Sequence, residues 1–251
     1  MRCDIFRNEL NFITEDDVLH MAEYLLNNAS DSLYYAPSSS SGKYHPLADL
    51  GYAGNVRHSK AVCRFINYIV QLEYLDFTER EKNLLIVASL YHDGEKQGRN
   101  GSNYTLFNHP LLARDEVLKY PIPEGSNITE EDKQFVADCI ASHMGQWNTS
   151  NRTKTVLPKP ATKAQFALHL ADYLASKRDI TLDFEGDEGA YPPLPDINEY
   201  RLNFGKMKGK TLIEISEECP DYLAWMINES KEKGFTEPVQ SLLNYFVGKE
   251  D

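Results

Sequence analysis

Several common building materials are scarce in this chain. Its four cysteines stand at positions 3, 63, 139 and 219 with no CxxC pair, which excludes a disulfide framework and a zinc knuckle and leaves reduced, mostly buried thiols. Long apolar runs are missing too. The run "LLIVASLY" at 84–91 falls well short of the ~20 residues that a bilayer crossing requires, and "MRCDIFRNEL" contains no apolar signal-peptide region. The expectation is a cytoplasmic protein with no membrane partner. Positive charge is also short: 26 Lys and Arg against 38 Asp and Glu give a formal charge of −12, which argues against a surface that clings throughout to nucleic acid. Strand-like alternation is rare in the first 180 residues, and no internal repeat is present.

What the chain does contain is enough apolar material for one large core, or for a main domain with an appendage: 251 residues, 41% hydrophobic. Apolar residues recur at helical spacing. In "TEDDVLHMAEYLLNN", Thr14 reads as a cap with Asp17 three residues on, and Val18, Met21, Ala22, Leu25 and Leu26 form one face. Further helices are expected at 57–74, 79–92, 109–119, 129–144 and 161–178. The stretch "SDSLYYAPSSSSGKYHPLADLGYAGN", 30–55, has no periodicity and reads as a long lid or binding loop. After "DFEGDEGAYPPLPDINEY" the character changes. The pattern predicts a main domain over 1–185, a linker over 186–198 and a small unit over 199–251, where "YRLNFGKMKGKTLIEI" reads as a hairpin followed by helices at 220–231 and 236–247. The fold class is therefore mainly α, a helical bundle with a small α+β appendage.

Local charge departs from the overall balance. From Arg152 to Arg178 there are six basic residues (Arg152, Lys154, Lys159, Lys163, Lys177 and Arg178) and one acid, Asp172. Such a stretch suits phosphate, or it is a solvated face. "GKMKGKT" at 205–211 mimics a phosphate-binding P-loop, but three residues separate its glycines where that motif needs four.

The chain has seven histidines, and His58, His92, His109 and His143 fall near the ends of expected helices, as do Asp93 and Asp172. A single buried histidine is more often a hydrogen-bonded core residue than a ligand. Several helices each bringing one His or Asp to a common centre make a nitrogen and oxygen site suited to Mn, Fe, Co, Ni or Zn rather than to calcium. His169, three residues before Asp172, shares its helix face and is placed to orient a ligand or to pack in the core. His20 and His45 read as solvent-exposed, His45 having a lid as its alternative.

The order His58, His92-Asp93, His109, His143, Asp172 resembles the HD superfamily of metal-dependent phosphohydrolases, with His92-Asp93 as the namesake doublet. The surrounding segments carry the likeness: "GYAGNVRHS", "VASLYHDGEK", "FNHPLLARDEVL", "CIASHMGQW" and "ALHLADYLASKRD". It covers about residues 50 to 180. The resemblance implies a first metal held by His58, His92, Asp93 and Asp172, and a second held by His109 and His143 with Asp93 as the bridge. Mg is a further possibility for these ions. Lys96 occupies the position of the family lysine and is expected to contact phosphate, with Lys177 and Arg178 as further substrate-binding candidates. Two departures matter. Cyclic-dinucleotide-degrading members carry two successive histidines where this chain has His143-Met144, and the doublet is followed here by Gly94-Glu95-Lys96, which places an extra carboxylate beside the lysine. The segments "HPLL", "SHMGQW" and "LPKPATKAQFALHLADYLASK" are most similar to the HD domain of a bacterial 3'-to-5' exoribonuclease family. That family carries an OB-type module before the HD domain; here a helix and the Ser-rich loop stand in that place, so the family's substrate is not carried over.

What the resemblance implies is a phosphohydrolase or phosphodiesterase that acts on a nucleotide or short nucleic acid through a metal-activated water, with Asp93 and Lys96 in the catalytic centre. A metal-retaining HD protein that binds nucleotide or nucleic acid without turnover is the alternative. Homo-oligomerisation is left open. The run "NFGKMKGKTLIEISEECPDYLAWMI" resembles a small module at the C-terminal ends of some exonucleases, through Phe204-Gly205-Lys206, Gly209-Lys210 and Tyr222-Leu223-Ala224-Trp225. Its lysines are candidates to track a nucleic-acid backbone. Tyr222 and Trp225 read more readily as packing for a small core.

Overall fold

The computed structural model describes the chain except for residues 40–44, 47–48, 101, 103, 181, 183–193, 203, 236–237 and 248–251. Most of the linker expected at 186–198, the first two residues of the helix expected at 236–247, and part of the loop expected at 30–55 therefore lie outside the described residues. Among the described residues the elements are helices: α1 (Arg7–Leu10), α2 (Asp16–Asn28), α3 (Asp31–Tyr35), α4 (Gly54–Ile69), α5 (Glu79–Tyr91), α6 (His109–Leu118), α7 (Glu130–Ser142), α8 (Lys163–Ala175), α9 (Leu212–Glu218), α10 (Pro220–Glu232) and α11 (Val239–Val247). The mainly helical class is as expected.

The apolar run in α5 is explained by its position. Every residue from Asn83 to Tyr91 is buried, because α2, α4, α7 and α8 all pack against this helix. A helix surrounded on all sides needs no polar face. Four helices start on the same local device. Thr78, Thr129, Thr162 and Thr211 each accept a hydrogen bond from the backbone N–H three residues on, and Glu81, Asp132, Gln165 and Glu214 reach back to the cap. These boxes satisfy donors that the first helical turn leaves unpaired.

Three local expectations are corrected. Thr14 does not cap α2: its N–H donates to Asn83 Oδ1 on α5 at 2.6 Å, and the helix starts one residue later with Glu15 as cap. The stretch 30–55 is not loop throughout, since Asp31–Tyr35 closes one helical turn. Among the described residues, the expected hairpin in the C-terminal unit is reduced to one antiparallel bridge, Arg201 with Thr211. "LIEISEE" becomes α9 instead, because the Thr211–Glu214 box commits that segment to a helix.

α4 begins at Gly54, three residues earlier than expected. Here glycine is required, since a Cβ would lie 1.8 Å from the Asp49 carbonyl oxygen. The helix ends at Ile69, and a short 3-10 turn over Glu73–Leu75 leads towards α5. One hydrophobic cluster runs through α2, α4, α5, α7 and α8. A separate, smaller one joins Leu202 to α9, α10 and α11.

Candidate metal centre

The histidines and aspartates sit where helices end. His58 lies in the second turn of α4, His109 opens α6, His92 and His143 are the C-terminal cap residues of α5 and α7, and Asp172 is in the last turn of α8. Three helix C-termini therefore face this region, and their partial negative charge favours a cation.

All six side chains meet. His58 Nε2 is 3.0 Å from Asp172 Oδ1 and 3.3 Å from His92 Nε2. His92 Nε2 lies 3.5 Å from Asp93 Oδ2. On the other side, His109 Nε2 is 2.9 Å from Asp93 Oδ1 and 3.3 Å from His143 Nε2. The two oxygens of Asp93 thus face two different histidine groups, His58 with His92 and His109 with His143, and each group together with Asp93 has the spacing of a cation site. These ligand candidates are almost wholly buried, with His58, His92, Asp93, His109 and His143 each 3% exposed or less.

The imidazoles are oriented from behind. His92 Nδ1 donates to the Ser89 carbonyl at 2.8 Å, His109 Nδ1 to Leu106 at 2.7 Å and His143 Nδ1 to Ile140 at 2.8 Å. Each ring spends its proton on a carbonyl three residues back, so its Nε2 presents a lone pair to the centre. His109 and His143 then bring two lone pairs within 3.3 Å of each other. An arrangement of converging acceptors is stabilised by positive charge between them, so the residues present fit bound metal ions. The centre's protonation fits the same reading. Burial pushes His92 down from its ordinary value and His143 down to about 3, so both are neutral. Burial opposes ionisation of Asp93, but the Lys96 ammonium paired with it outweighs that cost and holds its carboxyl well below the usual range. Asp172 is likewise held low, with His58 overcoming the cost of burial.

Lys96 is buried; its ammonium pairs with Asp93 Oδ2 and donates to Asn55 Oδ1 at 3.3 Å. Asn55 in turn donates to the Ser32 and Asp93 carbonyls. Glu95 turns elsewhere, towards Tyr91 and Arg99. Burial, against Arg99, pushes its carboxyl up to about 7. His169 Nδ1 donates to the His143 carbonyl at 2.7 Å, so it ties α8 to the end of α7. His20 is exposed.

A cavity of about 510 Å³ opens onto the centre, within the range of small-molecule sites. Lys96, Lys177 and the candidate ligands Asp93, His109, His143 and Asp172 line it. Arg178 is exposed and is not among the lining residues. The basic stretch is thus dispersed: Lys163 lies over Phe77 and donates to the Asp76 carbonyl, and Arg152, Lys154 and Lys159 are exposed. Contrary to the expectation of a solvent-exposed side chain, His45 lines the cavity with its ring edge-on to His58, 5.0 Å between centroids. Residues that sequence reasoning passed over also line it: Trp147, Tyr173 and Thr105. Only the adjacency of Tyr173 to Asp172 could have flagged one of them.

A family model described as Exodeoxyribonuclease X-like C-terminal matches residues 202–231. The match falls on the small C-terminal unit and leaves out every histidine and aspartate of the buried centre. No curated protein and no solved structure matches the chain. The chain therefore combines a stretch similar to an exonuclease-related module with buried His and Asp groups spaced to hold metal.

Proposed function

We propose that the chain is an HD-type, divalent-metal-dependent phosphohydrolase or phosphodiesterase acting on a nucleotide or short nucleic acid. The observation that carries this reading is the division of one carboxylate, with Asp93 Oδ1 turned to His109 and Oδ2 to His92. A residue that only neutralised charge would not need two histidine groups, one at each oxygen.

In this reading His58, His92, Asp93 and Asp172 hold one cation, and Asp93, His109 and His143 hold the other. When bound, two divalent cations supply a water that ionises near neutral pH and positive charge for phosphoryl oxygens. Lys96, paired with Asp93 and Asn55 at the cavity wall, keeps that carboxylate ionised and offers its one remaining donor to a phosphate oxygen. Lys177 adds positive charge on the same cavity. Arg178, exposed and outside the lining, has no part in this assignment. Asn55 and His169 keep the ligands in register through the Asp93 and His143 carbonyls.

The metal chemistry belongs to residues 1–185, and 199–251 form an appended module joined through 186–198. The exonuclease-like match at 202–231 favours a nucleic acid or one of its building blocks as substrate. The test is to load the purified chain with Mn and offer it nucleoside triphosphates, nucleoside monophosphates, cyclic nucleotides and short RNA and DNA. Turnover is expected with at least one of them, abolished by chelation and restored by Mn, at about two metals per chain. Bound metal without turnover of any member would replace the hydrolase with a nucleotide-binding protein.

A further inference from the structure

Trp147 is a large aromatic side chain left 46% exposed, yet its place is closely specified. It follows His143 by four residues, at the end of a turn that reverses the chain after α7. Gly145 makes that turn with φ +56, and a Cβ there would lie 2.2 Å from the His169 ring. His169 itself is anchored on the His143 carbonyl. The indole lies nearly parallel to the Tyr173 ring, with an interplanar angle of 15° and 5.7 Å between centroids. Tyr173 directly follows Asp172, so the two aromatics are each placed by the backbone of a candidate metal ligand. The Lys177 ammonium sits 3.4 Å from the centre of the Tyr173 ring and helps to fix it. Trp147, Tyr173 and Lys177 all line the cavity that reaches the metal centre.

Exposure alone does not mark a site, since Trp225 is 47% exposed in the small unit; what sets Trp147 apart is that it lines the cavity beside the candidate metal ligands with Tyr173 stacked against it. An exposed, pre-ordered π surface beside a polar, cation-holding floor matches a ligand with one flat aromatic end and one anionic end. We propose that Trp147, backed by Tyr173, is the stacking platform for the nucleobase of the substrate, and that the enzyme selects base-bearing phosphate esters over base-free ones. This rests on the phosphohydrolase reading only for where the phosphate lies. Stacking accepts any base, so the platform grips the base without identifying it.

The chain has two tryptophans, so in a Trp225→Phe background the emission of the full-length protein reports on Trp147 alone. Adenosine 5'-monophosphate is expected to change that emission saturably, and ribose 5-phosphate to leave it unchanged. Trp147→Leu should weaken adenosine monophosphate binding by about 5- to 150-fold, the range of one base-aromatic stack. Ribose 5-phosphate binding should be unaffected, and Trp147→Phe should recover most of the loss. If Trp147→Leu weakens both ligands equally, or if adenosine monophosphate binds without altering the emission, the platform is wrong. An emission change without turnover of any ester would uphold the platform and sink the hydrolase. Turnover of base-bearing and base-free esters with equal kcat/KM would do the reverse.

Discussion

The helical body encloses a set of ionisable side chains, whereas among the described residues of the C-terminal unit every charged side chain is exposed or half-exposed. His92 is fully buried and Asp93 is 3% exposed, while Lys206 and Lys208 of the small unit are exposed on its Gly-bounded turn. The body also encloses Glu9 and Lys60, each 0% exposed and 3.6 Å apart, with Arg64 at 2.9 Å from Glu9. Desolvating such groups costs several kcal/mol each unless they are paired. A core spread over five packed helices can offset that cost; a cluster of eight buried apolar residues cannot. The difference teaches where chemistry can be built: buried, oriented ionisable groups need a large apolar frame around them.

The contrast has measurable consequences. Asp93→Asn should have the largest, because it removes a charge from both histidine groups at once. Metal content and Mn-dependent turnover should fall by well over the about 10- to 100-fold that loss of an outer hydrogen-bond partner causes, whereas Lys206→Ala in the small unit should leave metal content unchanged. Elemental analysis of the two variants decides it, and equal metal content would erase the distinction. Next comes Glu9→Ala, which removes the buried carboxylate that faces both Lys60 and Arg64. Urea unfolding should show a loss of about 3–5 kcal/mol, and a loss below about 1 kcal/mol would mean that this buried ion pair counts for no more than a surface one.

Glu95 offers a pH test. Its carboxyl keeps a proton up to about 7 in the fold, while the unfolded chain releases it near the ordinary glutamate value of 4.5. Through that window the unfolded state binds fewer protons, so stability contributed by this residue falls as pH rises. Glu95→Gln should therefore gain on the parent by roughly 2 kcal/mol between pH 5 and pH 8. A difference independent of pH would show that Glu95 is effectively solvated. His92 and His143, lowered by burial, act in the opposite sense in the metal-free chain: protons taken up by the unfolded state below about pH 6.5 erode stability as pH falls. The smallest effect belongs to the helix caps. Thr162→Ala and Thr211→Ala should each cost about 1 kcal/mol. Hydrogen exchange should report the first across the body and the second only within the small unit.

Much of this architecture was legible along the chain. Apolar spacing marks α2 and α4 to α8 because an amphipathic or fully enclosed helix must repeat its apolar side chains every three to four residues. The six candidate ligands were legible as residue types near helix ends, and their order carried the HD resemblance. Sequence reasoning failed where a distant partner outbid a local preference, as when Thr14 gave up a cap for Asn83 on α5, and where it overlooked a local signal, the Thr211–Glu214 box that takes the expected hairpin segment into α9. It also could not say which way a charge would point. Lys177 and Arg178 are neighbours with the same chemistry, yet one lines the cavity and the other faces solvent. Local periodicity is written in the order of residues, because it concerns side chains a few positions apart. The pairing of Asp93 with two histidine groups, and the stacking of Trp147 on Tyr173, join residues that only the packing of separate helices brings within reach.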